Sequence, residues 1–180
     1  ARQDYTGWAR WVVAGGSLAV HDVFERPEDG GQAPYRLVRR AVETAAPLAR
    51  ALGLPPLVEP ALAEYDAEAI AYIPIEELQA AGDPRWMELP DDIESFQAEV
   101  MTGVDRLTAA HPSQRVALVC HGGVVNVIVA AVLGLGARML FLPAYTSVSR
   151  VLAASAGPRS LASLNETAHL RIADVPLVEL

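Results

Sequence analysis

The sequence predicts an α/β fold: a three-layer α/β/α sandwich around a mostly parallel sheet, with an antiparallel C-terminal edge. Three observations carry that prediction. Val116 to Cys120 is a short apolar run rich in β-branched residues, as in strands covered on both faces. It lies between two helical patterns, a stripe of Ile93, Phe96, Val100, Val104 and Leu107 before it and a nearly all-apolar stretch, Val124 to Leu133, after it. Two extended candidates, Thr146 to Ala154 and Ser160 to Ile172, flank Ala156-Gly157-Pro158 and suit an edge hairpin.

Taken in order, Tyr5 to Ala14 carries Trp8, Trp11 and Val12 at helical spacing and is stopped by Gly15-Gly16. Ser17 to Phe24 reads as a strand and Glu25 to Pro34 as a loop. Leu37, Ala41, Ala45, Leu48 and Leu52 step by three or four residues, so a helix is expected there, bent or divided at Pro47. Leu57 to Tyr65 reads as a strand leading to a loop with Glu64 and Asp66. Pro74 can start a short helix through Glu76, Glu77 and Leu78, whereas Pro84 and Pro90 mark turns. Asp91 or Asp92 caps the helix that follows, and His111-Pro112 turns the chain into the central strand.

A single domain is expected from 180 residues, and 52% hydrophobic with 20% charged residues marks a globular chain. The net charge of −8 argues against nucleic-acid and anionic-membrane surfaces, but not against a small anion held in a local positive pocket. The one cysteine, Cys120, rules out a disulfide framework and points to a reducing, cytoplasmic setting. No signal peptide or membrane-spanning run is visible.

His121 stands where the central strand ends, and Gly122-Gly123 let the backbone turn sharply into the helix that follows from Val124. Backbone N–H groups and the positive end of a helix dipole favour an anion there, so strand, His-Gly-Gly and helix together suggest a phosphate site. The same pattern would suit a histidine that merely caps the helix. Asn126 is the one polar interruption of that helix.

The VCHGG segment, with RRAVETAAPLARALGLPP at Arg39 to Pro56, LAEYD at Leu62 to Asp66 and the tail SLNETAHL, resembles the histidine phosphatase superfamily, also called phosphoglycerate-mutase-like. The resemblance runs from about Leu37 to His169, with the pieces in the family's order. It implies a phosphomonoester hydrolase acting on a small phosphorylated metabolite through a phosphohistidine, with no cofactor and no metal. Residue by residue, it implies that His121 stabilises the transferring phosphoryl group, with Gly122 beside it. Arg40, in Arg40-Ala-x-x-Thr-Ala, would neutralise the phosphate. Glu64, with Asp66 as the fallback acid, would protonate the leaving oxygen.

These types fit the chemistry, because phosphoryl transfer rests on positioning and on neutralising the equatorial oxygens. A neutral imidazole is a competent nucleophile near pH 7, and a carboxyl kept protonated by burial can donate to an alkoxide. Bland readings stand beside them: Arg40 as part of a solvated helix face, Glu64 as a loop carboxylate, His111 as a turn residue and His169 as an edge-strand histidine.

The departure from the family lies at the front. Its nucleophile sits in an Arg-His-Gly motif at the end of the first strand, and no such tripeptide occurs here. One alignment makes Ser17 to His21 that strand, with His21 as nucleophile, Val20 for the arginine and Asp22 for the glycine; the space from His21 to Leu37 is then short for a crossover helix and a returning strand. The other makes Ser17 to Phe24 the second strand, which removes the central nucleophile strand; the Trp-rich helix and Gly15-Gly16 favour this one. Without a facing histidine, the expectation becomes a catalytically degenerate member that binds phosphorylated ligands or inorganic phosphate, or an interaction scaffold. As a scaffold its hairpin edge is open to pairing in a homodimer. The loop from Ala67 to Pro90 carries no basic residue but Arg85, which argues against a bisphosphorylated sugar acid and hence against mutase activity.

Overall fold

The computed structural model describes residues 17–20, 32–66, 75–84, 90–154 and 157–172, with 17–20, 32–40, 75 and 76 described by backbone alone. The expected helix at Tyr5 to Ala14 lies outside them, as do His21, Asp22 and Arg85.

The architecture is α/β. Strand β1 (Ser17–Val20) lies between β2 (Leu57–Val58) and β3 (Val116–Val119) and is parallel to both, with Val20 opposite Val58 and Val119. Helix α1 (Gln32–Leu52) connects β1 to β2 and lies against β1 and β3. One helix and a two-residue strand suffice for the return, so the objection that His21 to Leu37 is too short for a crossover does not hold. The described sheet has a strand at its centre, and that strand is Ser17–Val20.

Several boundaries differ from expectation for local reasons. Helix α1 begins at Gln32, inside the expected loop, because Pro34 falls in the first turn, where backbone N–H groups have no helical partner to lose. It also runs undivided through Pro47. Pro47 has no N–H to offer the Glu43 carbonyl one turn back, and Glu43 and Thr44 lie on the exposed side of the helix. The strand expected over Leu57 to Tyr65 stops after Val58: Glu59 accepts from the Ala61 N–H at 3.2 Å and Pro60 starts a 3-10 turn through Leu62. Arg106 forks onto Glu59, with Nε donating to Oε2 at 3.1 Å and Nη2 to Oε1, and so ties this turn to α3 (Ile93–Ala110).

Asp92 caps α3 by accepting from the Ser95 N–H at 2.9 Å, and the Ser95 side-chain hydroxyl, followed by that N–H, holds its carboxyl below the usual carboxylate range. Ile93, Val100 and Val104 of the expected stripe are buried, with Phe96 and Leu107 packed beside them. The other described helices are α2 (Ile75–Ala80), α4 (Gly122–Val132) and α5 (Ala168–Ile172). Gln97 joins α3 to α4 by donating to the Val127 carbonyl at 2.9 Å.

Two apolar clusters form around β3. Ala41, Ala45, Leu48 and Ala49 of α1 pack with Ala117 and Val119, whereas Leu62, Val100, Val124 and Val127 pack with Leu118 and Cys120. The alternation of β3 side chains thus separates α1 from the α3–α4 pair.

The expected hairpin is present but shorter. Strands β4 (Val148–Ala153) and β5 (Arg159–Glu166) pair antiparallel. Thr146 and Asn165 take the left-handed conformation (φ 59° and 51°), which delays β4 and closes β5. His169 therefore lies on α5 and not on an edge strand.

Candidate functional site

Because β1 and β3 are parallel and Val20 pairs with Val119, both strands end at the same edge of the sheet. His121 follows two residues after Val119 with an extended backbone (φ −105°, ψ 179°), and its carbonyl accepts from the Val125 N–H at 3.1 Å. It is the N-cap of α4 through its backbone; its side chain makes no cap hydrogen bond. The glycine pair, expected as a turn, forms the first residues of α4 itself.

An anion does lie at this helix N-terminus, and it is the carboxylate of Glu64. Its Oε2 accepts from the Gly123 N–H at 2.9 Å and the Val124 N–H at 3.4 Å, while Oε1 accepts from the Tyr65 N–H at 3.3 Å. The reading of Glu64 as a solvated loop carboxylate is thereby corrected: the residue is 7% exposed, 59 positions from the helix it caps. The 3-10 turn pinned by Glu59 delivers it there.

Opposing effects set its protonation. Burial and the neighbouring Asp66 charge favour the neutral acid; the three N–H donors favour the carboxylate. Burial dominates, and the Glu64 carboxyl is pushed up from 4.5 to about 7. Near neutrality it can hold a proton or release one. Cys120 shares this environment; burial, aided by the Glu64 charge, pushes its thiol up to about 12, so it is an inert neutral thiol at pH 7.

Gly123 is required by close approach. A β-carbon there would stand 2.9 Å from both the Glu64 carboxyl carbon and Tyr65 Cδ1, on top of Oε1. Gly123→Ala is therefore expected to cost roughly 2–3 kcal/mol and to displace Glu64 from the helix start. Urea unfolding across pH 5 to 8 checks this: stability should fall most at pH 5, least at pH 8 where release of Glu64 ends its burial penalty, and so lose the part of its pH dependence that Glu64 supplies, whereas an unchanged curve would contradict the packing.

His121 and Glu64 are thus brought to one helix start, where Gly122 separates His121, the N-cap, from Gly123, whose N–H holds Glu64. The backbone of Arg40 is placed in α1, but its side chain lies outside the described residues, as does His21. Asp66 acts on Glu64 through its charge. His111 is a turn residue: its carbonyl accepts from the Gln114 N–H at 3.2 Å, and its ring Nδ1 lies 3.3 Å from Gln114 Oε1. Among the described residues no group of three or more His, Cys, Asp or Glu side chains is placed to hold a metal, and no helix is long and apolar enough to cross a membrane.

Sequence reading missed the role of Asn126. Its amide binds the Gly122 carbonyl and both polar groups of the Phe141 backbone, fixing the chain that passes the site. A lone amide in an otherwise apolar helix was the available signal.

Comparison with known proteins finds the family model of the histidine phosphatase superfamily (branch 1) matching residues 37–167. Among solved structures, a mycobacterial glucosyl-3-phosphoglycerate phosphatase is similar, at 20% identity over 91% of this chain and 85% of that chain, with a TM-score of 0.55. At that identity the likeness concerns the fold.

Proposed function

The chain belongs to the histidine phosphatase superfamily, and from that membership we propose that it is a phosphomonoester hydrolase acting on a small phosphorylated metabolite through a phosphohistidine. The single observation that carries the reading is Glu64, a buried carboxyl raised to about 7 at the start of the helix that His121 caps.

His21 is the proposed nucleophile. It is the next residue after Val20, which ends the central strand opposite Val119. The two helix-bearing clusters around β3 support the three-layer sandwich in which the family places its nucleophile strand centrally. A neutral His21 nitrogen attacks phosphorus, the ester P–O bond breaks, and the proton of Glu64 passes to the departing alkoxide. Water then attacks the phosphohistidine; its proton returns to Glu64, the P–N bond breaks, and inorganic phosphate leaves. Arg40 and His121 neutralise the phosphoryl oxygens in both steps, with Gly122 at their side. The lone cysteine supports a cytoplasmic place of action.

A second reading has a specific observation behind it: Val20 and Asp22 flank His21 where the family has arginine and glycine. In that reading the chain binds phosphorylated ligands without turnover. Hydrolysis of an aryl phosphate, lowered roughly 10²–10³-fold in His121→Ala, is expected of the enzyme. Thermal stabilisation by vanadate or inorganic phosphate without hydrolysis supports the binding module, and absence of both contradicts either.

A further inference from the structure

The segment from Leu140 to Ala144 passes the start of α4 and is held at both ends by asparagine side chains. At one end, Asn126 is wholly buried in α4. Its Nδ2 donates to the carbonyls of Gly122 at 2.8 Å and Phe141 at 2.9 Å, and its Oδ1 accepts from the N–H groups of Leu140 at 2.6 Å and Phe141 at 3.1 Å. At the other end, Asn165 Oδ1 accepts from the Ala144 N–H at 2.9 Å, and the Asn165 N–H donates to Ser149 Oγ at 3.1 Å. Between them, the Pro143 ring carbons stand 3.6 and 3.9 Å from where a β-carbon on Gly122 would lie. A segment tied to two different elements cannot swing aside without breaking these bonds, so its place beside the His121–Gly122 corner is fixed.

Its chemistry is uniform. Residues 139 to 149 read MLFLPAYTSVS, without an acidic or basic side chain. Of the flanking arginines, Arg150 is paired with Glu166 and bonded to Ser163, and Arg138 donates its Nε back to the Gly136 carbonyl at 3.0 Å. On the other flank of the helix start, the Tyr65 ring packs against Gly123. A carboxylate or second phosphate pressed against Pro143 would lose its water and find no cation in this segment; an apolar group would lose only water.

We infer that Leu140–Ala144 is a fixed specificity wall, selecting monoesters with an uncharged, apolar leaving group over those whose leaving group bears a second negative charge. The inference rests on the phosphatase reading above.

The test compares phenethyl phosphate with 3-phosphoglycerate, both alkyl esters, in the wild type, Pro143→Lys and Asn165→Gly. In the wild type, kcat/KM is expected to favour phenethyl phosphate by about tenfold or more, and Pro143→Lys should narrow that ratio about tenfold. Asn165→Gly keeps the left-handed backbone without strain and removes only the side-chain tie to Ala144. It should raise KM for phenethyl phosphate about tenfold while Ki for inorganic phosphate stays within about twofold, a split that general loosening of the fold would not produce. KM and Ki that move together, or a KM that does not move, would overturn the wall. A wild type that hydrolyses both esters equally well overturns the wall and leaves the phosphatase reading standing; one that hydrolyses neither overturns that reading and the wall with it.

Discussion

Replacing Glu64 with glutamine is expected to make the protein more stable at pH 8 and far less active. The folded carboxyl lies at about 7 against 4.5 for an exposed one, with burial the largest cause and the Asp66 charge second. The folded state therefore holds this proton more tightly than the unfolded state does. Between about pH 4.5 and 7 the folded chain binds more protons, so stability falls as pH rises, and the whole penalty is present above 7. A displacement of that size corresponds to roughly 3 kcal/mol. Glutamine does not ionise; its carbonyl oxygen can still accept from Gly123 and Val124, while its NH2 gives up the 3.3 Å bond from the Tyr65 N–H, so Glu64→Gln should recover roughly 1–3 kcal/mol at pH 8 and nothing at pH 4.5. Glutamine has no carboxyl proton to deliver to an alkoxide, and kcat for an alkyl phosphate should fall roughly 10²–10⁴-fold. Denaturant unfolding at the two pH values and steady-state kinetics read both halves. A variant less stable at pH 8 would contradict the burial argument; full activity would remove Glu64 from the proposed chemistry.

The largest loss of stability is expected at Asn126. Asn126→Leu keeps the volume but leaves the Leu140 and Phe141 N–H groups and the Phe141 carbonyl without the bonds they now make to the side chain. Each such group, where it stays shielded from water, costs about 1–3 kcal/mol, and a total of roughly 3–5 kcal/mol is expected. For a chain of this size that corresponds to a fall in melting temperature of about 10 °C. Scanning calorimetry decides: a shift of only a degree or two would mean that the segment beside Gly122 finds other partners, and that Asn126 does not hold it.

Much of this architecture is written locally. The apolar run from Val116, the stripe on Ile93 to Leu107 and the Asp92 cap each follow from patterns a few residues long. They appear in the structure within one or two residues of where the sequence puts them. What local patterns do not contain is which distant group completes a helix end. The N–H groups of Gly123 and Val124 called for an anion, and the sequence offered a phosphate or His121; the group supplied within the chain is Glu64. Its approach depends on the Glu59–Arg106 fork and on a missing β-carbon at Gly123, neither of which has a local signature. Pro47 and Pro34 misled for a related reason: proline's cost depends on whether the bond it removes was needed, and at both places it was not. The central position of Ser17–Val20 comes from its pairing with Leu57–Val58 and Val116–Val119, far along the chain, which no local pattern announces.

The central claim is that phosphate passes through a histidine at the end of the central strand. Rapid quench of the wild-type protein with a radiolabelled aryl phosphate should trap acid-labile, alkali-stable label that maps to His21 and is absent from His21→Ala. Label that persists in His21→Ala, or wild-type turnover with no trapped label, would contradict it.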